Sequence, residues 1–126
     1  MISKSDFLKD FFLFLNNNRI DYFVVGEYAC LPISTGESDL DIVVNVESLT
    51  KFLDKLEGLF VQHNIYTVSY YTNSNGVFFR LIGRGEKYWG LQLDIFYKGF
   101  YFQSKEYYPI DLVRNSLILH NDIRVL

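Results

Sequence analysis

Apolar positions recur with a helical period near the start of the chain. Phe7, Leu8, Phe11, Phe12 and Leu15 fall on one face. Ser3 and Asp6 precede them as a capping-box-like start, with Asp in place of the usual Glu or Gln. Asn16-Asn17-Asn18 should end this helix. Tyr22-Phe23-Val24-Val25 then reads as a short buried strand stopped by Gly26, and residues 27–31 as a helical turn before Pro32. A polar loop from Ser34 to Ser38 leads to a second strand, Asp39 to Val46. In it Leu40, Ile42 and Val44 point one way, and Asp39, Asp41 and Val43 the other. Ser48 can cap a second amphipathic helix with Leu49, Phe52, Leu53 and Leu56 inward, ended by Gly58.

Beyond Gly58 the period changes to two. Ile65 to Tyr71 and Val77 to Ile82 flank Asn73-Ser74-Asn75-Gly76, a hairpin signal. Gly83-Arg84-Gly85 marks another turn, Trp89 to Tyr97 a long strand, Pro109 to Arg114 a short helix and Asp122 to Leu126 a last strand. The 126 residues suit one domain, 1–126. The sequence stops inside an apolar segment, so the full protein is expected to continue.

Charge narrows the function. Twelve basic and 15 acidic residues give a net charge of −3, which argues against binding nucleic acid through a broad basic surface. Hydrophobic residues at 49% exclude global disorder. The single cysteine, Cys30, excludes an intrachain disulfide and reads as a small core residue. The longest early apolar run, Phe11 to Leu15, is too short for a signal peptide or a membrane span. The expected setting is cytoplasmic.

The candidate chemistry lies in three carboxylates. Asp39-Leu40-Asp41 alone is a weak signal, but both acids lie on one face of a strand that follows a glycine-stopped strand and a polar loop. Positions i and i+2 of a strand lie roughly 7 Å apart. Carboxylates so spaced can share a pair of divalent ions, which in two-metal sites sit roughly 3.5–4 Å apart. Asp94 stands mid-strand in Leu91-Gln92-Leu93-Asp94-Ile95-Phe96-Tyr97, facing with Gln92 and Phe96 away from Leu93 and Ile95. A lone Asp there is costly unless paired or metal-bound. The plainer alternatives are exposed acids at a strand mouth for Asp39 and Asp41, and a structural ion pair with Arg80 or Arg84 for Asp94.

Val24-Val25-Gly26-Glu27-Tyr28-Ala29, followed by Thr35-Gly36-Glu37-Ser38-Asp39-Leu40-Asp41-Ile42-Val43-Val44, resembles the signature of the nucleotidyltransferase (DNA polymerase beta-like) superfamily. Asp94 fits the third acid of that signature. The resemblance implies an α+β fold. Its core would be the mixed β-sheet of a nucleotidyltransferase-type palm, with helices packed mainly on one face and a second half rich in antiparallel strands. It implies Mg²⁺-dependent transfer of a nucleoside monophosphate from an NTP to an acceptor hydroxyl. Asp39, Asp41 and Asp94 would be the catalytic and metal-binding (Mg²⁺ or Mn²⁺) residues. Gly26, Glu27 and Ser38 would lie against the nucleotide, with Gly26 admitting the triphosphate and Ser38 donating to it.

Glu27 departs from the pattern, which has a small residue after the glycine. Its charge opposes a triphosphate if it points the same way. The alternative is a catalytically weak module of the same family, antitoxin-like or regulatory, acting through a protein partner or a C-terminal domain. A phosphatase of the haloacid dehalogenase type and a D-x-D glycosyltransferase are weaker readings. The first wants a downstream lysine and a further acidic pair on a parallel sheet, the second a much larger domain. Arg80 and Lys87 could meet phosphates, and Tyr70 or Tyr71 could stack on a base. Solvated charge and sheet surface are the plainer readings of these four.

Overall fold

The computed structural model describes residues 1–35, 39–102, 105–109 and 116–126. Helix α1 spans Lys4–Asn17 and α2 spans Leu49–Gln62. Strands β1 (Asp21–Val25), β2 (Leu40–Asn45), β3 (Tyr66–Asn73), β4 (Gly76–Arg84), β5 (Tyr88–Tyr97), β8 (Ile118–His120) and β9 (Ile123–Val125) form one sheet in the order β3-β4-β5-β2-β1-β9-β8. Strands β6 (Gly99–Phe102) and β7 (Lys105–Pro109) pair separately as an antiparallel ribbon.

This corrects the expected fold class. Among the described residues two helices stand against nine strands, and seven of the strands make one mixed sheet. The molecule is a strand-dominated sheet carrying two helices, rather than the α+β palm that the resemblance implied. The physical reason lies in the second half. Its alternating, aromatic-rich segments pair antiparallel, as expected, but they are long and outweigh the two helices. The C-terminal strands then extend the sheet past β1.

Local chemistry explains the helices. The hydroxyl of Ser3 accepts from the Asp6 amide, and that of Ser48 from the Lys51 amide. Asn18 closes α1. Gly58 does not end α2, which continues a further turn to Gln62. Propensity alone makes one helical glycine a modest cost, and Leu59 and Phe60 beyond it are buried. Residues 27–31 are non-helical. The segment 109–114 divides: Pro109 closes β7, which replaces the expected helix start, and the remainder lies outside the described residues. Cys30 is exposed, whereas Leu31 beside it takes the core position.

One apolar cluster joins both helices to one face of the sheet. It contains Phe7, Phe11 and Leu15 of α1, Phe52, Leu56 and Phe60 of α2, and Ile42, Val44, Leu93 and Ile95 of the central strands. Phe7 meets Phe60 at 6.2 Å between ring centres, and Phe60 meets Phe79 edge-on at 5.5 Å. On the opposite face Phe23, Val43 and Phe96 are buried, with Val25, Phe78, Leu117 and Leu126 against them. The candidate acids project from this second face.

Among the described residues no helix is long and apolar enough to cross a membrane.

Candidate functional site

Register assembles the site. Strands β2 and β5 run parallel, and Asp41 pairs directly with Asp94. Neighbouring strands lie about 4.8 Å apart, so the two side chains leave the same face side by side. Each strand alternates, which is why the flanking residues Leu40, Ile42, Leu93 and Ile95 are all buried in the helix-side cluster. Val25 pairs with Asp41 on the other side, and Phe78 with Asp94. The acids are thus the polar centre of a row running Val25, Asp41, Asp94, Phe78, with Tyr71 opposite Phe78 on the edge strand.

The electrostatics of the pair follow from that placement. Asp41 is pushed up to about 7, first by burial, then by Asp94 beside it and the charge of Asp39. Asp94 is also raised, chiefly by burial and by the charge of Asp39. Contacts from Asp41 and Gln92 and the charge of Arg80 work in the opposite direction. With Asp41 pushed up to about 7, the pair retains a proton toward neutral pH, which relieves the repulsion between two adjacent carboxylates. One oxygen of Asp94, Oδ1, is buried without a hydrogen-bond partner.

Those features fit a divalent cation. Mg²⁺ is commonly held by one or two carboxylates, with water and substrate phosphates completing its shell. The pair offers two carboxylates, and the orphaned Oδ1 offers a lone pair that nothing else uses. Among the described residues no three His, Cys, Asp or Glu side chains converge closely enough to hold a metal on their own. Asp39 is the member that stands apart. It lies just before β2, exposed at the rim, and reaches the pair through its charge. The sequence suggested Asp39 and Asp41 as the close pair. The structure brings together Asp41 and Asp94.

Gly26 and Glu27, two of the residues expected to lie against a nucleotide, stand at the same end of the sheet. Val25 is the last residue of β1 and faces Asp41, so Gly26 and Glu27 leave β1 where Asp39 enters β2. Gly26 has φ +87, in the left-handed region that favours glycine. A Cβ there would meet nothing within 4 Å, so the glycine is required by the turn and leaves open space above it. Glu27 is exposed. Ser38 lies outside the described residues.

A neighbouring feature escaped the sequence. Ser69, Tyr71, Phe78, Arg80, Gln92 and Asp94 line a hollow of ≈ 270 Å³ beside the acids, together with Tyr70 and Phe79. Arg80 and Tyr71 were each visible as candidates. Phe78 and Gln92 join them only through the β4–β5 register, in which Phe78 meets Asp94 and Arg80 meets Gln92. No local signal in the chain supplies that register.

No family model matches the chain, and no curated protein matches it in sequence.

Proposed function

We propose that the chain is a Mg²⁺-dependent nucleotidyltransferase that moves a nucleoside monophosphate from an NTP to an acceptor hydroxyl. The observation that carries this reading is the side-by-side placement of Asp41 and Asp94 on adjacent strands, with the unpartnered Oδ1 of Asp94. Two adjacent half-buried acids are unfavourable without a cation, which is the arrangement a metal-dependent phosphoryl-transfer site needs. Asp41 and Asp94 would hold the ion, with Asp39 drawn in from the rim. When bound, Mg²⁺ neutralises charge on the triphosphate and on the departing pyrophosphate.

The chain's own residues supply the rest. Asp94 accepts the proton of the acceptor hydroxyl as its oxygen bonds to the α-phosphorus. The bond from the α-phosphorus to the bridging oxygen breaks, and pyrophosphate leaves with the electron pair. The open turn at Gly26 lets the triphosphate approach the backbone. A cytoplasmic setting, where Mg²⁺ and NTPs are abundant, goes with this reading.

A second reading is a catalytically weak module acting through a protein partner. Exposed Glu27 and the outlying position of Asp39 favour it.

Thermal denaturation with each NTP and Mg²⁺ or Mn²⁺ separates the two. A ligand at about 100 times its Kd stabilises by about 2.7 kcal/mol, roughly 10 °C for a domain of this size. The transferase reading expects such a shift with metal, and its loss in Asp41→Asn and in Asp94→Asn. A well-folded wild type that ignores every metal–NTP combination would leave the module reading standing.

A further inference from the structure

The hollow beside Asp94 has a composition that the acids alone do not require. Arg80 is exposed and has no carboxylate within ion-pair distance among the described residues, although its charge is felt at Asp94. A guanidinium held there without a salt bridge is a ready bidentate site for a phosphate. Tyr71 is 64% exposed, and its ring lies 6.1 Å from that of Phe78 with 32° between the planes. The pair forms an aromatic platform with one side open to solvent. Gln92 adds an amide that both donates and accepts, and Ser69 a hydroxyl. Small-molecule sites run from about 300 Å³ upward, so a hollow of ≈ 270 Å³ limits the ligand to one small molecule bound partly in solvent.

We propose that this hollow binds the acceptor, and that the acceptor is a nucleoside monophosphate. Its base stacks on Tyr71 and Phe78, its phosphate pairs with Arg80, and a ribose hydroxyl faces Asp94. The inference rests on the transferase reading for the role of acceptor, whereas the binding chemistry of the hollow stands apart from it. The two ligands would flank the acids. The triphosphate enters on the Gly26 side across β1, and the monophosphate lies on the β4 side. Transfer then forms a bond between the ribose oxygen and the α-phosphorus, releases pyrophosphate and leaves the hydroxyl proton on Asp94. The product is a dinucleotide.

The test is a titration of isotope-labelled protein with AMP, GMP, CMP and UMP in Mg²⁺, followed by NMR, with adenosine and ribose 5-phosphate as half-ligands. At least one monophosphate should shift the amides of Phe78, Arg80 and Gln92. Tyr71→Ala should weaken that ligand about tenfold and leave ribose 5-phosphate unchanged. Arg80→Gln should weaken both phosphates about tenfold and leave adenosine unchanged. Both residues are exposed, so the variants should fold, and wild-type-like spectra verify it. Silence with all four monophosphates, shifts that map elsewhere, or variants that bind like wild type would each overturn the inference. Failure here with an intact metal–NTP response at Asp41 removes only the acceptor assignment. Monophosphate binding without any metal–NTP response keeps the binding site and removes the transferase.

Discussion

The two faces of the central sheet are built from the same strands and do opposite things. On the helix side, Leu40, Ile42 and Val44 of β2 and Leu91, Leu93 and Ile95 of β5 are all closed off from solvent under α1 and α2. On the other side the alternate positions of the same strands run from buried Val43 and Phe96 to the half-buried acids Asp41 and Asp94. One face gains stability with every side chain it covers. The other gives some of that up at two positions, where two carboxyls are held side by side. A sheet with a well-packed face can carry such a strained pair without losing its fold, and functional sites commonly draw on stability in this way.

The strongest way to break that contrast is to damage the covered face. Ile42→Ala should destabilise by about 2–5 kcal/mol, because the methyl groups it loses leave a cavity between both helices and the sheet. Urea denaturation with an unchanged m-value would confirm the loss. The neighbouring substitution on the other face should have the reverse sign. Asp41→Asn removes one member of the repelling pair, and at pH 8 without metal it should stabilise by on the order of 1–2 kcal/mol once solvent screening is allowed for.

The pH dependence sharpens the same point. Asp41 binds its proton more tightly folded than unfolded, since its folded value of about 7 lies above the ordinary 3.8. Its contribution is therefore fully present below about pH 4 and is lost as pH rises through 7. Metal-free wild type should lose stability between about pH 4 and 7 relative to Asp41→Asn, and the difference should shrink when Mg²⁺ is added. Parallel pH curves for the two proteins would remove the shared proton from the account. The smallest effect belongs to Glu27→Ser. At this exposed turn it should change stability by less than about 0.5 kcal/mol. It should tighten NTP binding a few-fold at low salt, and less in high salt, if the Glu27 charge faces the triphosphate.

How much of this could be read along the chain depended on how local each signal was. Ser3, Ser48 and the apolar stripes marked both helices. Asn73 to Gly76 marked the β3–β4 hairpin, whose turn Asn73 closes by accepting from the amides of Asn75 and Gly76. Alternation in β2 and β5 placed Asp41 and Asp94 on the faces they occupy. The resemblance grouped the three acids, but which two stand side by side was not legible, because register between strands from different halves of the chain is set by the whole packed face. That is why Asp39 was read as the close companion of Asp41, and why Phe78 was overlooked. The ribbon of β6 and β7 and the short strand β8 were also missed. Lys105–Pro109 alternates weakly, and Ile118–His120 is only three residues long.

The parallel pairing of β2 with β5 has a consequence for the folding of the chain. Asp41 and Asp94 come from opposite halves of the sequence, and they are neighbours because α2 and the β3–β4 hairpin, which lie between them in the chain, return β5 to the edge of β2. Neither half contains the site. If the proposed cation binds between the two acids, it would act as a clasp on the closed sheet. It would have nothing to hold in the open chain, and it would have to leave before β2 and β5 could part.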